Sequence, residues 1–473
     1  MPSLFLRTIS PIARVVPGVK KPERDPGFRI KLFWTLVAVM LYITMTTVPL
    51  YGIERGAGVD IFWTLRVILA SERGTLAELG IGPIVTGGLI LEILVGSKMI
   101  NVDLTDPEDR RMFNEANKAM AVIMTIFESA VYIIGGAYGQ LELAAATLVF
   151  VQLVFAGIVI ILLDEMIQKG WGFGSGISLF IVAGVATRIA TALFSPIPDR
   201  DGLPHGIIPA IYHVATSAER TWNEIVLRYG APDLIGLLTT IGIAIIIMYL
   251  EAMSIEIPVE SSIYRVRFRY PIKFMFSSNV PVILAGALFA NIMFFSQMIW
   301  NRYEGNFFAS LLGSWTLEGD RPIPTGGLAY FSIPPQGLLW SLDHPYQAVG
   351  YLLLLILACY FFSVTWVEIA GIGAESIAEQ LLASQLSIPG IRRTKDHIAR
   401  YLDPYVKTAA ALSGILIGVV AGVADILGAY ATGSGILLAV SILKNLYEEI
   451  AVKYAEEMSP ALRRFFLGKV PIR

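Results

Sequence analysis

The chain has 473 residues, of which 55% are hydrophobic and 16% are charged, and its mean hydropathy is +0.65. Soluble domains carry about 25% charged residues, so this composition indicates an integral membrane protein. The net charge of −2 gives no sign of a nucleic-acid-binding chain, and the single cysteine, Cys359, excludes an intrachain disulfide framework or a cysteine-based metal site.

Residues 1–32 predict a cytosolic N-terminal arm. They include basic residues but no long apolar core and no small-residue cleavage site, so they do not form a secretory signal. The stretch LFLRTISPIARVV within this arm either lies on a membrane surface as an amphipathic segment or is a plain cytosolic tail.

Runs of about 20 apolar residues predict ten membrane-spanning helices. The predicted spans are 33–52, 81–96, 119–138, 143–163, 175–194, 234–250, 274–295, 347–367, 406–424 and 431–446. The segment VDIFWTLRVILA (59–70) is too short to span and too apolar for a free loop, which predicts a re-entrant or interfacial half-helix.

Basic residues fix the predicted orientation. With the N-terminus placed in the cytosol, 26 of the 36 Lys and Arg residues fall in cytosolic segments and 8 in outer segments. Both termini are therefore expected in the cytosol. Ten spans divide into two halves of five with inverted orientation, an N-terminal half at 33–230 and a C-terminal half at 231–450, followed by a cytosolic tail at 451–473.

The second and seventh spans resemble each other. Both GPIVTGGLILEI (82–93) and VPVILAGALFANI (280–292) place a proline near the start, then small residues, then a polar residue near the far end, Glu92 or Asn291. Interrupted segments at matching places in two inverted halves point to a working site. The alternative is that the small residues only allow close helix packing.

Motifs for enzymatic chemistry are missing from the sequence. WGFGSGISLF (171–180) has no Gly-Lys-Ser/Thr, and no HExxH or intramembrane protease arrangement occurs. We therefore expect no enzyme, no cofactor and no metal.

Polar residues inside spans are candidate site residues or simple interhelical hydrogen-bonding groups: Thr86, Glu92, Glu128, Gln152, Arg188 and Asn291, with Lys407 a further candidate. A secondary transporter with inverted repeats is the alternative function that these carboxylates allow.

Two cytosolic segments, 252–273 and 369–405, are long and basic. RVRFRYP (265–271) alternates basic and apolar residues, which predicts a β-hairpin arm, and QLSIPGIRRTKDHIARYLDPY (385–405) is again basic. These loops could dock an anionic partner such as ribosomal RNA, or they could reflect ordinary positive-inside charge.

Several long motifs resemble the SecY family, the pore-forming alpha subunit of the Sec protein translocon. They are LGIGPIVTGGLILEILVGS (79–97), LLDEMIQKGWGFGSGISLFIVAGV (162–185), YPIKFMFSSNVPVILAGALFANI (270–292) and TGSGILLAVSI (432–442). KPERDPGFRIKLFWT (21–35) and LTDPEDRRMF (104–113) resemble the archaeal and eukaryotic branch. The resemblance implies an all-α membrane protein with ten transmembrane helices in two inverted five-helix halves around an hourglass pore. It also implies that 59–70 is a plug helix that fills the outer funnel.

The resemblance assigns roles to particular residues. A ring of branched side chains at the pore constriction is expected from Ile81, Val85, Ile177, Ile181, Ile283 and Leu438. A polar lateral gate is expected from Thr86, Glu128 and Asn291. The plug hinge is expected at Gly80, Gly82 and Pro83, with Gly87 and Gly88 as close-packing positions. Ribosome docking is expected from Arg265, Arg267, Arg269, Arg392, Arg393 and Lys395.

The resemblance also implies partners and a location. A SecE/gamma-type subunit and a beta-type small subunit are expected to complete a heterotrimer. The ribosome, signal sequences, nascent polypeptides and the lipid bilayer are the other expected partners. The expected function is a protein-conducting channel in the cell (plasma) membrane, which passes unfolded secretory polypeptides and releases transmembrane segments sideways into lipid.

Overall fold

The computed structural model describes residues 18–457 apart from gaps at 54–70, 97–98, 101, 103–106, 135–137, 139–140, 200–201, 218–219, 262–266, 276–279, 304, 319–320 and 370–371. The predicted plug helix 59–70 and Arg265 lie outside the described residues. Each predicted span coincides with a helix: α1 (Phe28–Thr47), α2 (Gly82–Gly96), α3 (Pro107–Ile134), α4 (Leu143–Met166), α5 (Gly176–Phe194), α8 (Leu234–Ala252), α9 (Val280–Arg302), α13 (Pro345–Ile369), α15 (Lys395–Ile426) and α16 (Gly433–Glu457).

Eight of the helices in the described ranges are long and apolar enough to cross a membrane. The second span, α2, has only 15 residues, and α16 carries charged residues in its second half. A π-helical turn (Ile167–Trp171) extends α4, and its Gly170 has a φ of 96°. Short helices α6 (Ile207–Thr216), α7 (Asn223–Val226), α10 (Phe307–Leu312), α11 (Gly327–Phe331) and α12 (Leu338–Asp343) connect the spans.

The first span ends earlier than the predicted residue 52. Helix α1 stops at Thr47 because Pro49 disfavours helical backbone in the residue before it, and Val48 is extended, with φ −77° and ψ 117°. Residues beyond Val48 then form backbone hydrogen bonds with the segment around Thr75 rather than continuing the helix.

The ninth span begins earlier than predicted. A loop was expected as far as residue 405, but α15 starts at Lys395 and continues through Pro404. The loop prediction was wrong there because tertiary packing outweighs the cost of an internal proline. Ile398, Leu402 and Val406 are buried in one cluster on this first part of the helix.

Helices α13 and α15 pack closely because small residues line their contact. A Cβ added at Gly414, Gly418 or Gly422 would lie 2.5–2.7 Å from the carbonyl of Cys359, the Cα of Ile356 or a methyl of Leu352. Glycines four residues apart lie on one face of a helix, and small faces let membrane helices approach each other.

The two basic segments form one body rather than two separate arms. Strands β1 (Ser254–Ser261) and β2 (Arg267–Lys273) form the predicted antiparallel hairpin, and β5 (Leu386–Ser387) pairs with the other edge of β1. Helix α14 (Ala374–Ala383) covers this sheet. One apolar cluster joins β1, α14 and the start of α15, with members that include Val259, Leu381 and Leu402.

A second hairpin lies between α9 and α13 and was not predicted from the sequence. Strands β3 (Ser314–Glu318) and β4 (Arg321–Gly326) pair antiparallel with an irregular register at Ser314 and Trp315. Two prolines in β4 conceal the strand pattern, since proline weakens a strand prediction. Trp315 is buried and its indole N–H donates to the Ser296 hydroxyl on α9 at 3.2 Å.

Candidate pore and lateral gate

The six predicted ring residues belong to one apolar cluster, although they come from four separate parts of the chain. Ile81, Ile181 and Leu438 are within 1% of complete burial and form part of its core. The three remaining members, Val85, Ile177 and Ile283, are partly buried and pack against that core. The ring assignment itself remains a prediction, and the geometry places aliphatic side chains from both halves together.

The same tripeptide, Gly-Ser-Gly, lies where two of the ring-bearing helices begin. At 174–176 its last residue is the first of α5, and at 433–435 it forms the first three residues of α16. The fifth span of the first half and the fifth span of the second half thus begin alike, as two repeated halves predict.

A buried carboxylate lies at the start of each of these helices. Asp164, near the end of α4, accepts a hydrogen bond from the backbone N–H of Ile177 at 3.0 Å. Asp425, at the end of α15, accepts one from the backbone N–H of Gly433 at 2.7 Å. Sequence reasoning missed both aspartates. The sequence feature that could have indicated them is an aspartate eight to ten residues before the Gly-Ser-Gly of each half.

Two of the predicted gate residues lie together. The Thr86 hydroxyl on α2 interacts with the carboxyl group of Glu128 on α3, and it also donates to the carbonyl of Gly82 at 2.9 Å. The predicted close packing at Gly87 agrees with the structure, because an added Cβ there would lie 2.9 Å from the backbone nitrogen of Ala121. The third predicted gate residue, Asn291, is exposed, and its side-chain amide donates to the carbonyl of Ala287 on its own helix at 2.8 Å.

The segment that follows the predicted plug is fixed at two places. Residues on either side of the plug form a short antiparallel bridge between Pro49 and Thr75, in which Leu50 N–H donates to the Gly74 carbonyl at 2.9 Å. Next, Ala77, Leu79 and Ile81 are buried. We name residues 48–50 and 74–76 the plug clip.

The predicted hinge residues lie after the plug clip. Gly80 has a φ of 54°, which favours glycine, and Gly82 and Pro83 open α2. All three are buried. The hinge at these positions remains a prediction, and their burial means that a swing there would have to disturb the core.

Arg188, one of the polar residues predicted inside a span, has an acidic partner next to the plug. Its guanidinium lies 3.6 Å from the carboxylate of Glu72, which follows the plug segment closely in the chain. Tyr42, Thr187 and these two residues are among those that line a small cavity between α1 and α5.

Some of the predicted ribosome-docking residues already form ion pairs with acidic side chains, and others do not. Arg269 forms a 2.5 Å ion pair with Glu256 across the hairpin, and Lys395 forms a 2.6 Å pair with Glu379. Arg267 lies in β2. Arg392 and Arg393 are exposed, and within the described ranges no ion pair holds either one.

The turn that carries these two arginines is held rigidly. Ile388 is buried, Ile391 packs on the same cluster, and Gly390 between them has a φ of 82°. Thr394 N–H donates to the Arg392 carbonyl at 2.8 Å just before α15 begins. The arrangement presents two exposed positive charges on a turn whose backbone is held in place.

Similar proteins agree with this arrangement. The sequence matches the SecY family over residues 75–447 and the plug domain of Sec61p over residues 40–74. A solved protein conducting channel is 33% identical, with a TM-score of 0.77, over 96% of this chain and 98% of that chain. A SecY structure described by how its plug domain stabilises the closed translocation channel is 32% identical, with a TM-score of 0.74, over the same shares.

Sec61 in the canine ribosome-channel complex from the endoplasmic reticulum is 34% identical, with a TM-score of 0.73, over 96% of this chain and 98% of that chain. These likenesses confirm the predicted multi-pass membrane fold, which is mostly helical and has a plug domain, and they support a protein-conducting channel rather than the alternative of a secondary transporter. The family match over most of its length shows that the chain belongs to the SecY family of protein-conducting channels.

Proposed function

We propose that the chain passes unfolded secretory polypeptides through the aliphatic ring and releases transmembrane segments sideways into lipid. The observation that carries this proposal is the convergence of the six ring residues on one cluster that both halves share. A narrow aliphatic constriction gates a pore by excluding water and ions. It offers no fixed hydrogen-bonding groups, so it can contact any passing chain without binding it.

Sideways release would occur between α2 and α3 on one side and α9 and α13 on the other. The contact between Thr86 and Glu128 supports a gate at this place, because interhelical hydrogen bonds in membranes contribute only about 0.6 to 2 kcal/mol each. A signal-sequence helix can replace contacts of that size. Its leucine-rich face then gains free energy on entering lipid.

The two halves, 33–230 and 231–450, would be the bodies that move apart to open the gate.

The basic turn at Arg392 and Arg393 would dock the ribosome on the cytosolic face, which also carries the arm 1–32 and the tail 451–473. The description of the canine relative as part of a ribosome-channel complex supports that partner. A SecE/gamma-type and a beta-type subunit would complete the complex in the cell membrane, with both termini in the cytosol and no enzymatic step in this chain.

The test compares two neighbouring leucines of α16 that are equally buried. Leu438 is a ring residue, and Leu437 is not, although both are within 1% of complete burial. The full chain with Leu438→Ser or Leu437→Ser is reconstituted in planar bilayers, and the resting ion conductance is recorded. We expect a steady leak from Leu438→Ser only, since a hydroxyl in the ring wets the constriction.

Equal conductance of both variants would contradict the ring assignment. Translocation of an unfolded, signal-bearing polypeptide into vesicles is measured in parallel. A deletion of residues 59–70 gives a second readout, because removal of the plug is expected to let the wild-type ring flicker open.

A further inference from the structure

We propose that Asp164 and Asp425 are a pair of positioning residues, one in each half, which set the resting size of the pore by fixing the starts of the two ring helices α5 and α16. This inference rests on the proposed pore function. It assigns a role to two buried carboxylates to which the sequence gives none.

In the first half, Asp164 holds the start of α5 with both oxygens occupied. Its Oδ1 accepts from the backbone N–H of Ile177 at 3.0 Å, and its Oδ2 accepts from the side-chain amide of Gln168 at 2.8 Å. The N–H of Gly176 also interacts with the carboxylate. Asp164 is 6% exposed, so these bonds replace water that could otherwise satisfy the free N–H groups of a helix start.

In the second half, Asp425 holds the start of α16 and also binds a third helix. Its Oδ1 accepts from the backbone N–H of Gly433 at 2.7 Å, and its Oδ2 accepts from the Tyr351 hydroxyl at 2.7 Å. Tyr351 belongs to α13, which is one of the predicted gate helices. A movement of α13 therefore acts directly on the start of the helix that carries Leu438.

Glycine at the first position of each helix allows the backbones to touch. A Cβ at Gly176 would lie 2.5 Å from the Cα of Asp164, and a Cβ at Gly433 would overlap the carbonyl of Ala421. The start of each ring helix is thus pressed against the preceding span, and a side chain there would push the ring helix away.

The chain that leads into α16 is also strained. Ala431 and Thr432 have φ values of 62° and 63°, a region that is sterically unfavourable for residues other than glycine. The bond from Gly433 to Asp425 is one of the contacts that hold this turn in place. In the first half a glycine, Gly174, is left-handed two residues before α5, with a φ of 71°.

The ring side chains lie within two turns of the aspartates. Ile177 is the residue whose N–H binds Asp164, and Ile181 lies one turn further along α5. Leu438 follows Gly433 by five residues, or about 7.5 Å along a helix. A small shift or rotation at either helix start therefore moves the ring directly.

The test uses a matched aspartate that caps a span without a predicted ring residue. Asp233 accepts from the backbone N–H of Gly236 at 2.6 Å at the start of α8 and is 8% exposed. The full chain with Asp164→Ala, Asp425→Ala or Asp233→Ala is reconstituted in planar bilayers. The resting open probability is recorded beside the thermal unfolding midpoint in detergent.

We expect Asp164→Ala and Asp425→Ala each to raise the resting open probability about tenfold, because loss of one cap interaction changes an equilibrium constant by roughly that factor. Asp233→Ala should lower the unfolding midpoint and leave the open probability unchanged. Asp164→Asn and Asp425→Asn keep an acceptor oxygen and should stay within about twofold of the wild type.

The alanine, asparagine and Leu438→Ser variants together decide whether the proposal holds. Equal open probabilities in all three alanine variants would overturn the proposal, and so would asparagine variants that leak as much as the alanine ones. If Asp425→Ala does not fold, Tyr351→Phe removes only the hydroxyl that binds Asp425 and should still raise the open probability. Leu438→Ser distinguishes a failure of this inference from a failure of the proposed pore function. If Leu438→Ser conducts ions at rest and the aspartate variants do not, only the positioning role of the aspartates is wrong. If Leu438→Ser does not conduct, the ring assignment itself is wrong.

Discussion

The side-chain amide of Asn291 donates a hydrogen bond to the carbonyl oxygen of Ala287 on its own helix, and the nitrogen and oxygen are 2.8 Å apart. The side chain is exposed rather than directed at Thr86 and Glu128, which interact with each other on the opposite side of the predicted gate. In this structure Thr86 and Glu128 therefore interact with each other, whereas the side-chain amide of Asn291 bonds within its own helix.

Double-mutant cycles on thermal unfolding should reproduce this division. Thr86→Val and Glu128→Met should show a coupling free energy of about 0.6 kcal/mol, and at most about 1.7, as interhelical hydrogen bonds in membranes do. Asn291→Leu combined with Glu128→Met should show additive effects. A coupling of Asn291 to Glu128 as large as that of Thr86 would mean that the gate residues form one cluster at rest.

Ribosome binding should depend on Arg392 more than on the paired basic residues near it. The charges of Arg269 and Lys395 are already partnered by Glu256 and Glu379, whereas Arg392 is exposed on a rigid turn. Arg392→Ala should reduce the salt dependence of ribosome affinity by about one phosphate contact, which is a slope change of about 1.

The matched control for that measurement is Lys395→Ala, which removes a charge of the same sign three residues away. We expect it to change the slope by clearly less, since Lys395 must first leave two carboxylates. If Lys395→Ala weakens binding as much as Arg392→Ala does, ribosome binding depends on the overall positive charge of this surface rather than on a specific contact at the Arg392 turn.

The plug clip offers a way to find where the plug pivots. Pro49 and Thr75 face each other as a non-hydrogen-bonded antiparallel pair, with the hydrogen bonds made by their neighbours. Such pairs bring Cα atoms to about 4.5 Å, within the range that a disulfide accepts. Pro49→Cys with Thr75→Cys should therefore oxidise readily.

Burial of the residues after the clip leads us to expect that the plug moves about the clip and not about Gly80. The oxidised double variant should then translocate polypeptides at nearly the wild-type rate. A pivot at Gly80, Gly82 and Pro83 would require the clip to open, so a block that a reducing agent reverses would favour that hinge. The single-cysteine variants control for the loss of proline.

Gly418 should tolerate no side chain, because its face of α15 meets the backbone of α13. A Cβ there would lie 2.7 Å from the Cα of Ile356, and backbone atoms cannot move aside cheaply. Gly418→Ala should lower the unfolding midpoint in detergent by several degrees despite the better helix propensity of alanine. Gly242→Ala is the matched control, since nothing lies within 4 Å of its added Cβ, and it should be neutral or stabilising.

The sequence was sufficient for the spans because each one is a continuous apolar run, and every predicted span overlaps a helix. It failed where distant residues decide the structure. The basic stretch 385–405 was predicted as part of a loop, and burial of Leu402 and Val406 in the cluster with β1 and α14 explains the helix there. Asp164 and Asp425 look like ordinary span ends in the sequence, since their partners Ile177, Gly433 and Tyr351 come together only in the fold.

The ion pairs of Asp25 should give a small stabilisation that acid removes and that ties the N-terminal arm to the end of α16. Lys31 at 2.8 Å and Lys453 at 2.5 Å lower the pKa of Asp25 to about 2, chiefly through their hydrogen bonds. The unfolded value is about 3.9, so the stabilisation is complete above roughly pH 5 and is lost as the pH falls toward 2. The difference in unfolding midpoint between wild type and Asp25→Asn should stay constant from pH 7 to 5 and shrink between pH 4 and 3. Lys453→Met should remove part of the difference at pH 7, and a difference that instead grew on acidification would contradict the assignment of these pairs.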